Sequence, residues 1–449
     1  MKVVKSLVCA GAMLCFSLGV EAAVLHVPSE HPTIQAGIDA AVTGDIVLVA
    51  DGTYTGDGNR DIDFGGKSIV VRSENGPEMT VIDCQGTPED PHRGFYFHTN
   101  EESTSVVQGF TIVNGWAYLG GAILCCDSSP TILNNVMMGN TAEGGGAIMC
   151  RLNSHATIVG NTITQNHGSA CGGGIYCLSG SSVSIVNNLI TENTALYCGG
   201  GIRCNESSPM IAGNTLVGNT THYGGGICAL QSSFPTVLNC ILWGDSARFG
   251  REVFDDGTSS VTVTYSDVEG GKEGEGNLDA DPLFVSGPQG DYYLSQIDAG
   301  QPEESPCVNR GDLTSPVPNA ATRTDEVSDI WPVDMGYHYP IEEAVQADEE
   351  PLGEVDTPTM CLAQNYPNPF SSATAIAYSL PDPAAVRIAV YDIRGALIST
   401  LASGRAPAGR HRVIWDGTDR SGHRVGSGVY FYCLSVDHHK EMKRMVILR

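Results

Sequence analysis

Residues able to do acid–base or binding chemistry are thinly spread through the middle of this chain. Between Glu101 and Cys240 the only basic residues are Arg151 and Arg203, and the acidic ones are Glu101, Glu102, Asp127, Glu143, Glu192 and Glu206. Elimination from a uronic acid polymer needs a base beside the carboxylate and a cation or arginine to neutralise it. Hydrolysis of a glycosidic bond needs two carboxylates flanking that bond. The stretch contains no Asp-Asp pair and no Gly-His-Gly element. Arg151, Arg203, His155 and His167 remain as catalytic candidates, with both histidines expected in turns facing solvent. A binding surface has more material: Trp116, Tyr118, Tyr197, His222 and Tyr223 precede glycine runs, while Tyr176 and Arg203, with Glu206 nearby, are expected to point outward. Aromatic rings aligned along one face suit sugar stacking, and Arg203 and Glu206 suit hydroxyl or uronate recognition.

These residues are carried by a repeat. Gly120-Gly121-Ala122-Ile123 returns as Gly145-Gly146-Ala147-Ile148, then as Gly-Gly-Ile ending at Ile175, Ile202 and Ile227, a period of 25 to 27 residues. Asn135, Asn161, Asn188 and Asn214 keep step, with Cys240 at the next position, and so do Asn140, Asn166, Asn193 and Asn219. Three columns in register over five copies mark a solenoid. Short β-branched runs such as Thr157-Ile158-Val159 between glycine and asparagine turns make it a β-solenoid rather than a helical one. Stacked coils would turn the asparagines into ladders of paired amides. Cys125, Cys150, Cys177 and Cys204 each follow a column isoleucine by two positions, which places them inward as small apolar side chains. One cysteine per coil cannot give a tetrahedral metal site. Cys171 and Cys198, also 27 apart, stand just before glycine runs and would meet across adjacent coils, as a disulfide or as two thiols.

At these motifs the chain resembles two families. The Gly-Gly-Ala-Ile element and the pairs Met137/Asn140, Ile163/Asn166, Ile190/Asn193 and Leu216/Asn219 are similar to repeats of pectin-lyase-like β-helix proteins and of chlamydial polymorphic outer-membrane proteins. The resemblance implies a right-handed parallel β-helix, a fold that carries lyases, hydrolases, adhesins and stalks alike. Near the C-terminus, Asn365-Tyr366-Pro367-Asn368-Pro369-Phe370, Val390-Tyr391-Asp392, Gly395, Trp415-Asp416-Gly417, Gly428-Val429-Tyr430 and the basic end from Lys440 to Arg449 resemble the C-terminal sorting domains of type IX secretion substrates and the immunoglobulin-like domain of the flagellar hook-capping protein. That resemblance implies passage across an outer membrane and a secretion machinery as partner.

Four parts are expected. Residues 1–22 read as a secretory signal peptide, basic at Lys2 and Lys5 with an apolar centre from Ser6 to Val20. Residues 23–340 read as the β-helix, opened by a capping helix in which Ile34, Ile38 and Ala41 share a face, and closed by Asp334-Met335-Gly336-Tyr337-His338-Tyr339. Residues 341–360 read as an acidic linker and 361–449 as a β-sandwich with strands near Ala375, Val386, Val413, Val429 and Met445. The fold class is therefore all-β, a solenoid followed by a small immunoglobulin-like sandwich. The formal charge of −27 excludes nucleic acid and adsorption to anionic lipid, and no second apolar run is long enough to span a bilayer. No cofactor is expected. The alternative is calcium at Asp267, Glu269, Glu273, Glu275, Asp279, Asp281 and Asp291, whose spacing matches no defined calcium loop and reads as a solvated acidic loop. The function expected is a secreted or cell-surface protein, non-catalytic and glycan-binding or adhesive, exported by its C-terminal sorting domain, the alternative being a polysaccharide lyase or glycoside hydrolase of the pectin-lyase-like fold.

Overall fold

A computed structural model describes residues 22–313, 315, 320–329, 332–341, 361–362, 374–392, 397–420, 423–426, 428–436 and 439–447. Residues 1–21 of the expected signal peptide, nearly all of the expected acidic linker, the Asn365–Phe370 motif and Gly395 lie outside them. The chain divides into two compact units, Met1–Val237 with Leu242–Thr262, and Leu238–Ile241 with Val263–Arg449.

The first unit is a parallel β-helix. Each regular coil contributes one short strand to each of four sheets, here numbered in the order the chain visits them, while coils at the ends lack strands in the third and fourth. One coil runs through Thr131–Leu133 in the first sheet, Val136–Met138 in the second and Thr141–Gly144 in the third. It ends with Ile148–Arg151 in the fourth. Adjacent coils pair in parallel and in register: Ile132 on Ile158, Met137 on Ile163, Ala142 on Gly168, Ile148 on Ile175. The isoleucine column is longer than its sequence signature, running from Phe95 through Ile123, Ile148, Ile175, Ile202 and Ile227 to Val253. The coils at both ends carry the stacking position without the double glycine and so escape a motif search.

The glycine run has two separate causes. Its first member, such as Gly145 at φ +67, turns through the left-handed region that favours glycine. A Cβ on the second, Gly146, would stand 2.3 Å from the carbonyl oxygen of Gly173 in the next coil. Inside the coils Ile148, Ile175 and Ile202 with Cys150, Cys177 and Cys204 are fully buried. Burial of one such isoleucine contributes about 1.5–3 kcal/mol. The asparagines form the expected ladders: Asn161 Nδ2 donates to Asn188 Oδ1 at 3.0 Å and Asn188 Nδ2 to Asn214 Oδ1 at 3.0 Å. The second ladder runs Asn140, Asn166, Asn193, Asn219 and ends on the Asp245 carboxylate, 2.9 Å from Asn219 Nδ2. Each Oδ1 also receives the backbone N–H of the preceding member, as Asn193 Oδ1 does from Asn166 at 3.0 Å. These amides are fully paired and closed to ligands.

The N-terminal helix spans Ile34–Ala40, with Thr33 Oγ1 accepting from the Ala36 N–H at 3.2 Å and Ile34 and Ile38 buried. In the second unit, Asp334, Met335, Tyr337, His338 and Tyr339 are buried. The C-terminal segment forms two antiparallel sheets, Cys361–Leu362, Thr374–Leu380 and Gly409–Trp415 in one and Leu397–Ala406, Ala384–Asp392, Gly428–Val436 and His439–Ile447 in the other. Ile376, Leu380, Ile388, Val390, Trp415, Tyr432 and Leu434 fill its core. Among the described residues no helix is long and apolar enough to cross a membrane.

Candidate functional site

The third sheet has one face turned inward, where Ala117, Ala142 and Ala195 are buried, and one turned to solvent. Its pairing places Trp116, Thr141, His167, Thr194, Thr220 and Ser246 in one outward column. The register on either side puts Tyr118 next to Glu143, and Tyr197 next to His222 and Arg248, in a second. Tyr118 is 65% and Tyr197 57% exposed. His222 packs edge-on to Phe249 at 5.7 Å between centroids, and the Arg248 guanidinium lies 5.3 Å from the Phe249 ring centre. His167 Nδ1 pairs with Thr194 Oγ1 at 2.8 Å. The result is one open face carrying two free-standing tyrosines, a tryptophan, two histidines, an arginine and a glutamate.

Tyr176 and Arg203 are not on that face, and the expectation that they point to solvent fails for Tyr176. The glycine turn folds the end of the third sheet back toward the fourth, so the fourth sheet's outer side chains close a corner with Leu119, Gly144, Cys171, Cys198 and Tyr223. Tyr176 is only 9% exposed and packs with Leu124, Met149, Cys171, Cys198 and Cys228. Gly144 makes room for it, since a Cβ there would lie 3.1 Å from the ring. The Arg203 guanidinium covers the Tyr176 ring at 4.8 Å, and Nη2 donates to Asn205 Oδ1 at 3.3 Å. Nη1 donates to the sulfurs of both Cys171 and Cys198. Burial pushes the Tyr176 hydroxyl up to about 12. Tyr223 is shared between the two regions, half-buried in the corner and stacked on Phe249 at 5.1 Å.

Glu206 is elsewhere again. It occupies a left-handed position, φ 51, in the turn after the fourth sheet, and lines an open polar groove of ≈ 520 Å³ with Ser182, Ser207, Ser208, Gln231 and Ser232. The catalytic candidates are likewise dispersed. Arg151 ends a fourth-sheet strand, and His155 lies in the next turn with Nδ1 accepting from the Ser182 N–H at 3.2 Å. His167 opens the strand His167–Cys171 rather than sitting in a turn. In the acidic loop, Asp279 accepts from the Gly270 N–H at 3.0 Å, Asp281 from Leu283 at 2.9 Å and Glu275 from the Tyr265 hydroxyl at 2.9 Å. Among the described residues no three His, Cys, Asp or Glu converge as metal ligands do.

Two groups escaped the sequence reading. Arg248 and Phe249 extend the outward face one coil beyond the last glycine-isoleucine copy, and following the period one step further would have found them. The second group gathers in the irregular early coils. His92 Nδ1 lies 2.5 Å from Asp61 Oδ2 and Nε2 lies 3.2 Å from Asp90, while His98 stacks on Tyr96 at 4.0 Å and pairs with Asp63 at 3.2 Å. No period links these residues, so spacing could not bring them together.

Residues 67–242 match the family described as Right handed beta helix region, and residues 369–438 match the FlgD Ig-like domain. The architecture is a right-handed β-helix followed by an immunoglobulin-like domain. No curated protein matches the chain. Solved structures with local similarity include latent dimeric PorU from Porphyromonas gingivalis, at 20% identity over 19% of this chain and 9% of that one, TM-score 0.17. PorZ, a surface component of the type-IX secretion system of the same organism, aligns at 21% identity over 20% and 12%, TM-score 0.15. The PL6 family alginate lyase AlyGC aligns at 15% identity over 67% and 60%, TM-score 0.27. The chain spans less than two thirds of each of these three. In the immunoglobulin-like domain Trp415 of the Trp-Asp-Gly motif is buried, donates from Nε1 to the Thr418 carbonyl at 2.8 Å and meets Tyr430 edge-on. The motif thus anchors that core.

Proposed function

We propose that the chain is an exported surface protein that binds an extended polysaccharide along the outer face of the third sheet, without turnover, and that the immunoglobulin-like domain acts as its sorting or attachment module. The observation that carries the reading is the outward column with Tyr118 and Tyr197 exposed at either end and His222 and Arg248 beyond. Three coil spacings of about 4.8 Å separate the two rings by about 14 Å, the reach of an oligosaccharide rather than a single sugar. Flat rings stack on the apolar faces of pyranoses, and Glu143, His167, His222 and Arg248 supply hydroxyl or carboxylate partners. Support for binding without turnover is the scatter of Arg151, His155, His167 and Arg203 over separate strands and turns, with the Arg203 guanidinium engaged by two sulfurs and a ring.

The test is retention of the full chain on immobilised plant, algal and bacterial polysaccharides. Tyr118→Ala and Tyr197→Ala should each weaken binding to the retaining polymer about tenfold, the equivalent of about 1.4 kcal/mol. Unchanged retention by both variants would reject this face, and new reducing ends or unsaturated products would reject the non-catalytic reading. For the sorting role, removal of residues 361–449 should abolish appearance of the protein outside the producing cell; normal export would reject it.

A further inference from the structure

Two groups of cysteines in the β-helix occupy contrasting environments. The interior column of Cys125, Cys150, Cys177 and Cys204 has no contact with solvent. Cys171 and Cys198 lie outside the coil interior, in the corner between the third and fourth sheets, 9% and 6% exposed. They are partners in a parallel bridge between neighbouring coils, their sulfurs are 3.1 Å apart, and Arg203 Nη1 donates to both. Neighbouring coils hold partner Cα atoms about 4.8 Å apart, inside the span a disulfide requires.

We propose that Cys171 and Cys198 are an oxidation site, closing into a disulfide that clasps adjacent coils beneath the outward face, and that Arg203 is its positioning residue. The oxidant is a second disulfide, carried by a thiol oxidoreductase or by a small molecule. One cysteine thiolate attacks it and forms a mixed disulfide with release of one thiol. The other cysteine then displaces the second thiol, so two S–H bonds are exchanged for one S–S bond and the oxidant leaves as two thiols. Only the thiolate attacks: the bond between the two thiols favours the charged form at Cys198 and opposes it at Cys171, burial opposes it at both, and the guanidinium on the two sulfurs favours it at both. The interior column is sealed from the oxidant. Nothing in this step depends on a glycan ligand, and its test leaves the binding reading untouched.

The full chain would be incubated with oxidised glutathione, alkylated under native and then denaturing conditions, and cleaved after Glu192, which separates Cys171 from Cys198. The expected product is a Cys171–Cys198 cross-linked peptide pair, located by fragmentation. Two alkylated cysteines, or a link between the stacked interior pair Cys177 and Cys204 instead, would overturn the proposal. Reduction with dithiothreitol should lower Tm by about 5 °C in the wild type and not at all in Cys171→Ala; equal shifts in both would also overturn it. Arg203→Ala should slow closure about threefold or more, with Arg203→Lys between. If closure is unchanged while Cys171–Cys198 still forms, the role assigned to Arg203 fails and the disulfide stands.

Discussion

The inside of the β-helix and the outer face of its third sheet follow opposite rules. Inside, the central coils repeat: isoleucine lies on isoleucine and asparagine on asparagine, because a ladder amide needs an acceptor in the neighbouring coil. Outside, the column that begins at Tyr118 continues as Glu143 and, past the irregular coil at Ser169-Ala170, as Tyr197, His222 and Arg248, with no residue type recurring between neighbours. Parallel stacking imposes no identity on solvated positions. The repeated columns are therefore explained by folding, and the unrepeated outward column is where selection for a ligand has room to act. Substitutions that break the repeated columns should cost stability, and those that change the outward column should cost binding alone.

The largest effect is expected from the ladder. Asn193 Oδ1 receives both the N–H and the Nδ2 of Asn166. Asn193→Ala leaves these buried donors without that acceptor and should destabilise by about 3 kcal/mol, measured by chemical denaturation followed by circular dichroism. A loss below about 1 kcal/mol would mean that the ladder is ornamental and that the coils rest on apolar stacking. Tyr223 tests the boundary between the two regimes. It is half-buried against Cys198 and Phe254 yet stacks on Phe249 at the open face. Tyr223→Ala should cost about 1–2 kcal/mol and also weaken polysaccharide retention. Tyr118→Ala and Tyr197→Ala should leave stability within about 0.5 kcal/mol while weakening retention. If they destabilise as much as Tyr223→Ala, the distinction drawn between the faces collapses.

The same contrast decides what could be read from sequence. Columns in register are a periodic signal, so the coil interior, the ladders and the inward cysteines were legible from Gly145, Asn161 and Cys150 alone. The angle between successive sheets has no periodic signature. Tyr176 and Arg203 alternate with buried neighbours and so read as outward, but the glycine turn brings the third sheet back over them and closes the corner. Tyr118 and Tyr197 escape this because they project from the far side of the third sheet. Asp61 and His92 meet through irregular coils, where spacing carries no information. In the C-terminal domain the strand Leu397–Ala406 was missed because Ser399, Ser403 and Gly404 interrupt its apolar alternation.

A weaker but distinct contrast is expected with pH. Between residues 102 and 240 no acidic or basic side chain is fully buried among the described residues. In the second unit, Asp334 is buried with Asn309, Gln296 and Thr322 donating to it, and His338 Nε2 lies 2.8 Å from Asp329. Burial, with the charge of Asp329 beside it, raises Asp334 to about 7. Burial acts to lower His338, but its bond to Asp329 outweighs this and raises it. Both groups therefore hold protons more tightly in the fold than in the unfolded chain. The stability Asp334 contributes is full below the ordinary carboxylate range and is lost as pH rises through about 7, and that of His338 is full below the ordinary imidazole range and is lost above it. Hydrogen exchange, corrected for the intrinsic rate, should show the Cys307–Tyr339 segment less protected at pH 8 than at pH 6 by about 1 kcal/mol, with the repeat coils unchanged. Asp334→Asn should flatten most of that dependence. An equal loss in the repeat coils would place the titrating group elsewhere and undo the contrast.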